Sequence, residues 1–329
     1  MLEKEILNTV KKYNLIEQND TIICGISGGP DSMCMLDNLR KIKENNILNF
    51  ELIVAHVNHQ IREEADQDEE YVINYCKKHN IKNYVKRVDV KKYANNNKQG
   101  TEEAGRNIRY DFFEEILKKE NANKIAIAHN KNDKIETIIM NLLRGTGLTG
   151  IKGIEPKRNE KYIRPLIEIE RKEIEEYCLE AKLEPRIDKT NFINDCTRNK
   201  IRNIVIPYIK QEFNPNIVET IDRLSKLVTE EDVFLDQITS DIYKKIKIEE
   251  SLNSTILDLK EFNKQEEFIK KRILIFTINK TIGNTQNIEK INIDDIIKLC
   301  HNNIGNKYLT PNKNIKILVN KGKIYFEKI

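Results

Sequence analysis

The chain lacks the features that mark membrane and secreted proteins. No run of about 18 consecutive apolar residues occurs among its 329 residues, so a membrane-spanning helix is not expected. The first residues, Met1–Glu5, do not introduce the apolar segment of a signal peptide. We therefore expect a cytoplasmic protein without a membrane partner.

The chain also lacks paired cysteines. Its six cysteines contain no C-x-x-C pair, so a structural zinc site or an iron–sulfur site is not expected. Reduced thiols packed in a core are the expected state for such a chain. The cysteines are Cys24, Cys34, Cys76, Cys178, Cys196 and Cys300.

Charge of one sign is not in large excess either. The formal net charge is +4, with 33% charged and 39% apolar residues, which is typical of a globular protein. A length of 329 residues is sufficient for two domains. Because the net charge is small, any nucleic-acid contact must come from a local basic patch.

A glycine-rich hexapeptide follows the first apolar run, and the chain is organised around it. The run at 21–26 predicts a buried strand, and the pattern at 33–39 predicts the apolar face of a helix. A strand, a glycine turn and a helix point backbone N–H groups at a phosphate. The hexapeptide is Ser27, Gly28, Gly29, Pro30, Asp31 and Ser32.

Two better-known phosphate loops do not match this hexapeptide. No lysine follows the glycines, so it is not the G-x-x-x-x-G-K-[ST] loop, and it is not G-x-G-x-x-G. The competing interpretation is an ordinary turn in which Asp31 or Ser32 caps the helix.

Further strands and helices alternate along the first two thirds of the chain. Apolar runs at 50–57, 84–88 and 124–129 predict strands, and helical patterns lie near 64–79 and 101–119. This alternation predicts an α/β fold, a doubly wound parallel sheet with helices on both faces. We predict that this first domain covers 1–212.

The pattern changes after residue 212. Long helical patterns dominate, and two apolar runs near the end flank Asn320-Lys321-Gly322, which predicts a hairpin turn. We therefore predict a smaller, mainly helical second domain at 213–329, ending in a short hairpin.

Polar side chains follow three of the four predicted strands. The hexapeptide follows the first strand, His56, Asn58 and His59 end the second, and His129 begins a polar stretch after the fourth. Ligands bind beyond the carboxyl ends of the strands in such sheets. The sequence therefore predicts a binding site at this edge.

Two predicted helices carry charged pairs with two interpretations each. Arg106 and Arg109 share one helix face and either pair with solvated carboxylates or face nucleotide phosphates. Asp133 and Glu136 open another helix and either favour its dipole or bind magnesium through oxygen atoms.

Two later stretches could contact a substrate. Leu143–Gly150 is rich in glycine and predicts a flexible turn. The stretch 186–202 is dense in side chains that contact phosphates and base edges, although a polar loop is the plainer interpretation.

Together, these motifs resemble the tRNA(Ile)-lysidine synthases of the PP-loop (N-type ATP pyrophosphatase) superfamily, which has an adenine nucleotide alpha hydrolase-like fold. The S-G-G-x-D-S loop marks the superfamily. Five further stretches, in the family's order, narrow the resemblance: H-V-N-H-x-x-R, E-E-A-x-R-x-x-R-Y, L-x-R-G-x-G-x-x-G, R-P-L and D-x-T-N…R-N-x-x-R. The resemblance covers essentially the whole chain, and we expect the extra C-terminal domain of longer members to be absent.

The chain departs from the family pattern A-H-x-x-D-D-Q-x-E-T at two positions. Asn132 replaces the first Asp and Lys134 replaces the Gln, while Asp133, Glu136 and Thr137 remain. Any role of the first acid is therefore in question, and we place weight on Asp133.

The resemblance implies an ATP-dependent ligase that forms a C–N bond. ATP adenylates the C2 carbonyl oxygen of the wobble cytidine in the CAU anticodon of tRNA(Ile), releasing pyrophosphate. The ε-amine of free L-lysine then displaces AMP, forming lysidine, which changes codon reading from AUG to AUA and aminoacylation from methionine to isoleucine. Related proteins often pair, so a homodimer is one arrangement to consider.

The resemblance also implies roles for particular residues. Catalysis would involve Asp31, Arg106, Asp133 and Glu136, and Mg²⁺ would be held by Asp31 and Asp133. ATP would contact Ser27, Gly28, Gly29, Pro30, Asp31, Ser32, His56, Asn58, His59, Arg109 and His129. The tRNA would contact Arg144, Gly145, Gly147, Asp188, Asn191, Arg198, Asn199 and Arg202.

Three other functions compete with this one. A sulfur-inserting tRNA enzyme of the same superfamily needs reactive cysteines, commonly as C-x-x-C. A small-molecule amide synthetase would need no tRNA surface. A nucleotide-binding regulator on this fold would bind ATP without releasing AMP.

Overall fold

A computed structural model of the chain describes residues 2–60, 64–186, 194–302 and 307–329. The chain divides into two compact units, Met1–Val228 and Thr229–Ile329. The division falls inside one long helix, Ile217–Ile246, whereas the sequence-based boundary at 212/213 lies at the break before that helix. Within the described ranges, every helix is too short or too polar to cross a bilayer.

The first unit is built on a six-stranded sheet with the order β3-β2-β1-β4-β6-β5. All neighbours are parallel except the β5–β6 pair. The strands are β1 (Asp20–Gly25), β2 (Phe50–Asn58), β3 (Lys82–Arg87), β4 (Lys124–Ile127), β5 (Lys157–Arg158) and β6 (Tyr162–Ile163).

Helices connect these strands. They are α1 (Leu2–Lys12), α2 (Pro30–Glu44), α3 (Ala65–Lys78), α4 (Val90–Asn97), α5 (Thr101–Lys119), α6 (Lys131–Leu143), α7 (Leu148–Ile151), α8 (Arg171–Glu180), α9 (Thr197–Lys200) and α10 (Ile206–Glu212). A π-helical turn at Ile201–Val205 joins the last two helices of the set, α9 and α10. The long helix Ile217–Ile246 is α11.

The central strands are buried on both faces, which explains their continuous apolar runs. In β1, Ile22 and Cys24 pack with α1, α2, α3 and α8 on one face, and Ile23 packs with α4 and α5 on the other. The predicted doubly wound parallel sheet is confirmed.

The strand order reverses beside β1. The chain builds β2 and β3 on one side of β1 and then returns to place β4 on the other side. A crevice opens at such a switch point, beyond the carboxyl ends of the strands. The loops after β1 and β4 therefore meet there.

The second unit has its own core and contains more sheet than the sequence predicts. Beyond its part of α11, its helices are α12 (Leu259–Asn263), α13 (Glu267–Ile282) and α14 (Lys290–Asn302). A five-stranded antiparallel sheet has the order β7-β8-β11-β10-β9. Its strands are β7 (Lys247–Glu250), β8 (Ser254–Asp258), β9 (Lys307–Asn312), β10 (Ile315–Asn320) and β11 (Lys323–Lys328).

The terminal hairpin lies inside that sheet. Strands β10 and β11 pair directly, and Lys321 and Gly322 between them have φ of 46° and 73°. Two consecutive positive φ values are typical of the tight turns that join hairpin strands. The hairpin was predicted, but the strands that flank it in the sheet were not.

Candidate active site

A cavity of about 480 Å³ opens at the switch point of the first sheet. Its walls come from the residues that follow β1, β2 and β4 and from the start of α5. It brings together eight of the residues that the sequence predicts for ATP binding. They are Ser27, Asp31, Ser32, His56, Asn58, His59, Arg109 and His129.

The loop after β1 is held in shape by its two serines. Ser32 Oγ accepts from the N–H of Ser27 at 3.2 Å and donates to the carbonyl of Gly29 at 2.9 Å. Gly28 has a φ of +88°, a conformation that glycine adopts without strain. The carbonyl of Gly28 also accepts from the N–H of Arg186 at 2.9 Å.

The helix that follows this loop has no side-chain cap. Its N-cap is Gly29, and Pro30 stands in the first turn, so the interpretation of Asp31 or Ser32 as the cap is wrong. Pro30 has no N–H, which suits the first helical position. The remaining N–H groups of the first turn and the helix dipole are thus available to an anion.

Two histidines on the far wall present unpartnered nitrogen atoms. His56 Nδ1 donates to the carbonyl of Ile26 at 2.8 Å, which leaves Nε2 as an acceptor. His56 Nε2 and His59 Nδ1 are buried and have no hydrogen-bond partner among the described residues. Unpaired buried ring nitrogens fit the hydrogen-bonding groups of an adenosine, and His56 Nε2 fits its amino and hydroxyl donors.

Both histidines are neutral at pH 7. Burial lowers the pKa of His56, and burial with the nearby charge of Arg109 lowers that of His59 to about 4. They therefore offer hydrogen bonds rather than positive charge to a phosphate, contrary to the cationic contact that their ordinary pKa allows.

Asn58 lines the cavity, but its side-chain amide is already hydrogen-bonded within the protein. Its amide donates to Asp66 and Glu69 at 2.8 and 2.9 Å, and its Oδ1 accepts from the N–H of Gln60. Asn58 therefore fixes the end of β2.

His129 lies between the first cavity and a second one of about 340 Å³, and lines both. Arg164 donates from Nε to His129 Nδ1 at 3.1 Å, so the imidazole proton is on Nε2. Burial, together with nearby arginines, lowers the pKa of His129 to about 4 despite the opposing charge of Asp133.

The acids of the site are linked by Asn130. Its amide donates to Asp31 Oδ1 at 2.8 Å, and its Oδ1 accepts from the N–H of Asp133 at 2.9 Å. Asp133 accepts in turn from the N–H of Asn130, which completes a capping box at the start of α6. Asp31, in the first turn of α2, is thereby held beside Asp133 of α6.

Arg202 closes the acidic cluster. It donates to Glu136 at 2.6 and 2.9 Å and to Asp133 at 2.9 Å. Glu136 is 1% exposed. Burial raises its pKa even though Arg202 opposes the shift. The structure thus places Arg202 against the acids themselves.

The acidic cluster can supply some of the ligands of a magnesium ion, but not all of them. No group of three or more His, Cys, Asp or Glu side chains in the described ranges could hold a metal by itself. Magnesium beside phosphates commonly takes one or two carboxylates, with phosphate and water oxygens as the other ligands. Burial and the negative charge of Asp133 raise the pKa of Asp31. A divalent cation would relieve the repulsion between these two carboxylates.

The two departures from the family pattern point away from the cavity. Asn132 Oδ1 accepts from the N–H of Arg171 at 3.0 Å, so it binds the start of α8. Lys134 is buried and its Nζ lies 2.9 Å from Asp222 Oδ1. Both substitutions serve packing around α6 and leave Asp133 and Glu136 in place.

Several predicted residues lie elsewhere. Arg106 and Arg198 line the second cavity, and Arg144, Gly145 and Gly147 are exposed around the end of α6. Asn199, in α9, is half-buried, and its N–H donates to Cys196 Sγ at 3.5 Å. Asp188 and Asn191 lie outside the described residues.

Sequence reasoning missed three side chains of the site. Asn130 and Arg164 stood inside recognised motifs, but their contacts join segments far apart in the chain. Arg158 lines the second cavity and stood in no motif. For Asn130, the position after His129 at a strand end was a usable signal.

Comparison with known proteins places the chain in a family. A family model described as a PP-loop domain matches residues 1–209. The tRNA(Ile)-lysidine synthase of Clostridium acetobutylicum is 46% identical over 97% of this chain and 68% of the relative. That of Clostridium tetani is 43% identical over the same shares.

A solved structure shares the fold. The U34-tRNA thiolase NcsA from Methanococcus maripaludis, with its [4Fe-4S] cluster, aligns with a TM-score of 0.57 and 20% identity. The alignment covers 69% of this chain and 78% of that one.

Proposed function

This chain belongs to the tRNA(Ile)-lysidine synthase family of PP-loop proteins, and we propose that it joins L-lysine to the wobble cytidine of a CAU-anticodon tRNA(Ile) with ATP. Free lysine as the amine donor and a cytoplasmic reaction are parts of the proposal. The observation that carries most weight is the position of His129. It lines both a cavity at the glycine loop and a second, arginine-rich cavity.

In the first step, the C2 carbonyl oxygen of the cytidine attacks the α-phosphorus of ATP. The bond from that phosphorus to the bridging oxygen breaks, and diphosphate leaves with the charge. The uncapped start of α2 and the Ser27–Ser32 loop would receive this charge, because preorganised N–H donors stabilise it where it develops.

Magnesium has a place in this step. Asp31 and Asp133 would hold the ion, which when bound offsets the charge of the phosphates. His56 and His59 would contact the adenosine through their unpartnered nitrogen atoms. Arg109, on the same cavity wall, would face the phosphates.

In the second step, the ε-amine of lysine attacks C2. The bond between C2 and the oxygen that carries AMP breaks, and AMP leaves with that oxygen. The amine must lose a proton, since the pKa of free lysine is about 10.4. Glu136 is our candidate acceptor, because burial raises the pKa of this carboxylate whereas burial and nearby arginines lower the pKa of His129.

The exposed segment at the end of α6 is our candidate for the anticodon loop. Arg144, Gly145 and Gly147 are all exposed there, and Gly145 has a φ of +73°. Leu143 and Leu148 in the same segment are 71% and 41% exposed. Exposed apolar and basic side chains together can stack on and neutralise an unpaired nucleic-acid loop.

The proposal is tested by incubating the purified chain with ATP, radiolabelled lysine and a CAU-anticodon tRNA(Ile). We expect label on the tRNA, AMP in equal amount, and no label when the wobble C is replaced by U. Glu136→Gln should retain diphosphate release and lose label transfer.

Other outcomes would support the competing functions. ATP–diphosphate exchange that ignores tRNA would favour a small-molecule synthetase, and ATP binding without AMP release would favour a regulator. Sulfur transfer is disfavoured by the cysteines: five are buried, and burial raises the pKa of the Cys178 thiol to about 12.

A further inference from the structure

The second cavity, of about 340 Å³, is strongly basic. Five of its lining side chains are cationic, and only Glu155 among them is acidic. The cations are Arg106, Lys152, Arg158, Arg164 and Arg198. Lys152 lies 3.6 Å from Glu155 and Arg198 lies 3.6 Å from Glu136, so the excess positive charge comes from the other three arginines. Like charges at short range repel, and a bound anion would relieve that repulsion.

Two of these arginines are held by aromatic rings. The Arg106 and Arg158 guanidinium groups lie 5.1 and 5.4 Å from the centre of the Tyr110 ring, and Arg158 also lies 4.6 Å from that of Tyr162. Neither forms an ion pair with a described residue. Arg106 Nη2 donates weakly to Tyr110 Oη at 3.4 Å. A guanidinium over a ring face is positioned without using its own N–H donors, so most donors of Arg106 and those of Arg158 remain available to a ligand.

The other two arginines reach the cavity from less exposed positions, Arg164 buried and Arg198 half-buried. Arg164 is 4% exposed and donates to His129 and to the carbonyl of Glu155. Arg198 donates to Thr137 Oγ1 at 2.9 Å, while its buried Nε has no hydrogen bond in the described structure and lies 3.6 Å from Glu136 Oε2. The hydrogen-bonding capacity that remains on this guanidinium is available to an anion in the cavity.

Charge decides which substrate fits here. Lysine carries a net positive charge and is better received by Asp133 and Glu136 than by five cations. The triphosphate of ATP has its own place at the start of α2, in the first cavity. Besides the single carboxylate of lysine, the remaining anions of the proposed reaction are the phosphodiesters of the tRNA.

We propose that the second cavity binds a backbone phosphate of the tRNA beside the target cytidine, and that Arg158 is its main stacked contact. This inference rests on the proposed function. The phosphate would position the nucleotide so that its base reaches His129 and the first cavity, since phosphate contacts set register while base contacts specify.

The test uses the full chain, its tRNA and the variant Arg158→Gln. Arg158 is exposed at the edge of the sheet and its guanidinium lies over two tyrosine rings, so we expect the fold to survive. We expect the Kd for tRNA to rise about tenfold and the slope of log Kd against log salt to fall by about 1. The KM values for ATP and lysine should stay within about twofold.

A matched control removes Lys119, a cation at the carboxyl end of α5 that also lies over a tyrosine ring. Lys119 Nζ lies 4.5 Å from the centre of the Tyr84 ring. Lys119→Gln should leave tRNA binding unchanged. Arg158→Lys should recover the salt slope but only part of the affinity, because it keeps the charge and loses the planar fork.

A second arm identifies the phosphate. Anticodon stem-loops carrying a neutral methylphosphonate at each linkage flanking the wobble position are bound to wild-type chain and to Arg158→Gln. At the linkage that occupies the cavity, we expect the modification to weaken binding to wild type and to have no further effect on the variant.

Each contrary result has a distinct meaning. A rise in the KM for ATP or in the inhibition constant of diphosphate, without a change for tRNA, would assign the cavity to nucleotide phosphates and overturn the inference. A rise in the KM for lysine alone would assign it to the lysine carboxylate and do the same. Absence of lysidine with wild-type chain would refute the proposed function, whereas the methylphosphonate binding result would still stand or fall by itself.

Discussion

At the scale of single residues, Arg202 compensates the negative charge of two carboxylates in the site. It is the bidentate partner of a carboxylate that is 1% exposed, and it also bonds Asp133. Removing one partner of a buried pair leaves the other charge uncompensated, which costs more than the pair contributes. Arg198 offers Glu136 a longer contact at 3.6 Å, so compensation is partial.

We predict that Arg202→Gln lowers the free energy of unfolding by about 3 kcal/mol at pH 8. Glu136 has a raised pKa in the folded chain, and losing Arg202 raises it further. The stability it contributes is present at low pH and lost as pH rises through the folded pKa. Urea unfolding should therefore show a smaller defect at pH 5 than at pH 8.

The double variant Arg202→Gln with Glu136→Gln is the control for this interpretation. It should be more stable at pH 8 than Arg202→Gln alone, because no charge remains to be buried. Equal stability of the two variants at pH 8 would contradict the assignment.

The histidines supply a second prediction, in which stability is lost as the pH falls rather than as it rises. The pKa of His59 and that of His129 are both lowered to about 4 by burial. Between the unfolded pKa of about 6.5 and the folded pKa, the unfolded chain binds more protons. Acidification from pH 7.5 to 5.5 should therefore lower the free energy of unfolding.

Measurement of urea unfolding at both pH values checks this expectation. His129→Gln should lose part of the pH dependence while His301→Gln, at an exposed histidine of α14, should keep it all. An imidazole NMR titration that gave His129 a midpoint near its ordinary value would contradict the prediction.

At the scale of secondary-structure elements, α6 is tied to the first part of α11 by a buried ion pair. Lys134 Nζ lies 2.9 Å from Asp222, and the two side chains are 10% and 4% exposed. Lys226 also contacts Asp222 at 2.7 Å and continues to Glu168 at 2.6 Å. Helix α6, which carries Asp133 and Glu136, is thereby held to α11 by its residue Lys134.

We predict that Asp222→Asn is more damaging than Lys134→Gln. The first leaves two cations without their shared acid and should cost about 3 kcal/mol. The second restores the glutamine of the family pattern and leaves Asp222 with Lys226, so it should cost about 1 kcal/mol. Thermal or urea unfolding of both variants and of their combination measures the coupling as a double-mutant cycle.

The elements themselves were largely predictable. Apolar runs gave β1, β2 and β4, and helical spacing gave α5 over its full length, because burial imposes those periods. Strand β7 was missed because it follows α11 at the next residue with no turn signal, and its four residues include three charged ones. Short edge strands of this kind carry little apolar pattern.

The partners within the site were less predictable than its location. Strand ends placed His56 and His129 correctly, since parallel strands end at one edge. The contacts of Arg202 with Glu136 and of Lys134 with Asp222 span 66 and 88 residues of sequence. Nothing in the local pattern of either segment specifies those pairings.

At the scale of the whole molecule, the two units have separate cores. The residues of both cavities belong to the first unit, while Phe262, Ile317 and Phe326 belong to the core of the second. The predicted boundary at 212/213 follows a change in pattern before α11, whereas the two compact units divide inside that helix, which contributes residues to a core of each unit.

We predict that Phe326→Ala destabilises the second unit by about 3–5 kcal/mol, since the ring is fully buried and leaves a cavity. ATP affinity, measured by calorimetry below the unfolding temperature of the variant, should equal that of the wild type. A tenfold loss of ATP affinity in a folded sample would show that the nucleotide cavity depends on the second core.

Asn130 joins two parts of the proposed site through a single amide. It bonds Asp31 through its nitrogen and caps α6 through its oxygen. The loop that we propose to receive diphosphate and the helix that carries Glu136 therefore share one side chain. Because binding couplings are reciprocal, any change that lysine makes in diphosphate affinity through this contact equals the change that diphosphate makes in lysine affinity.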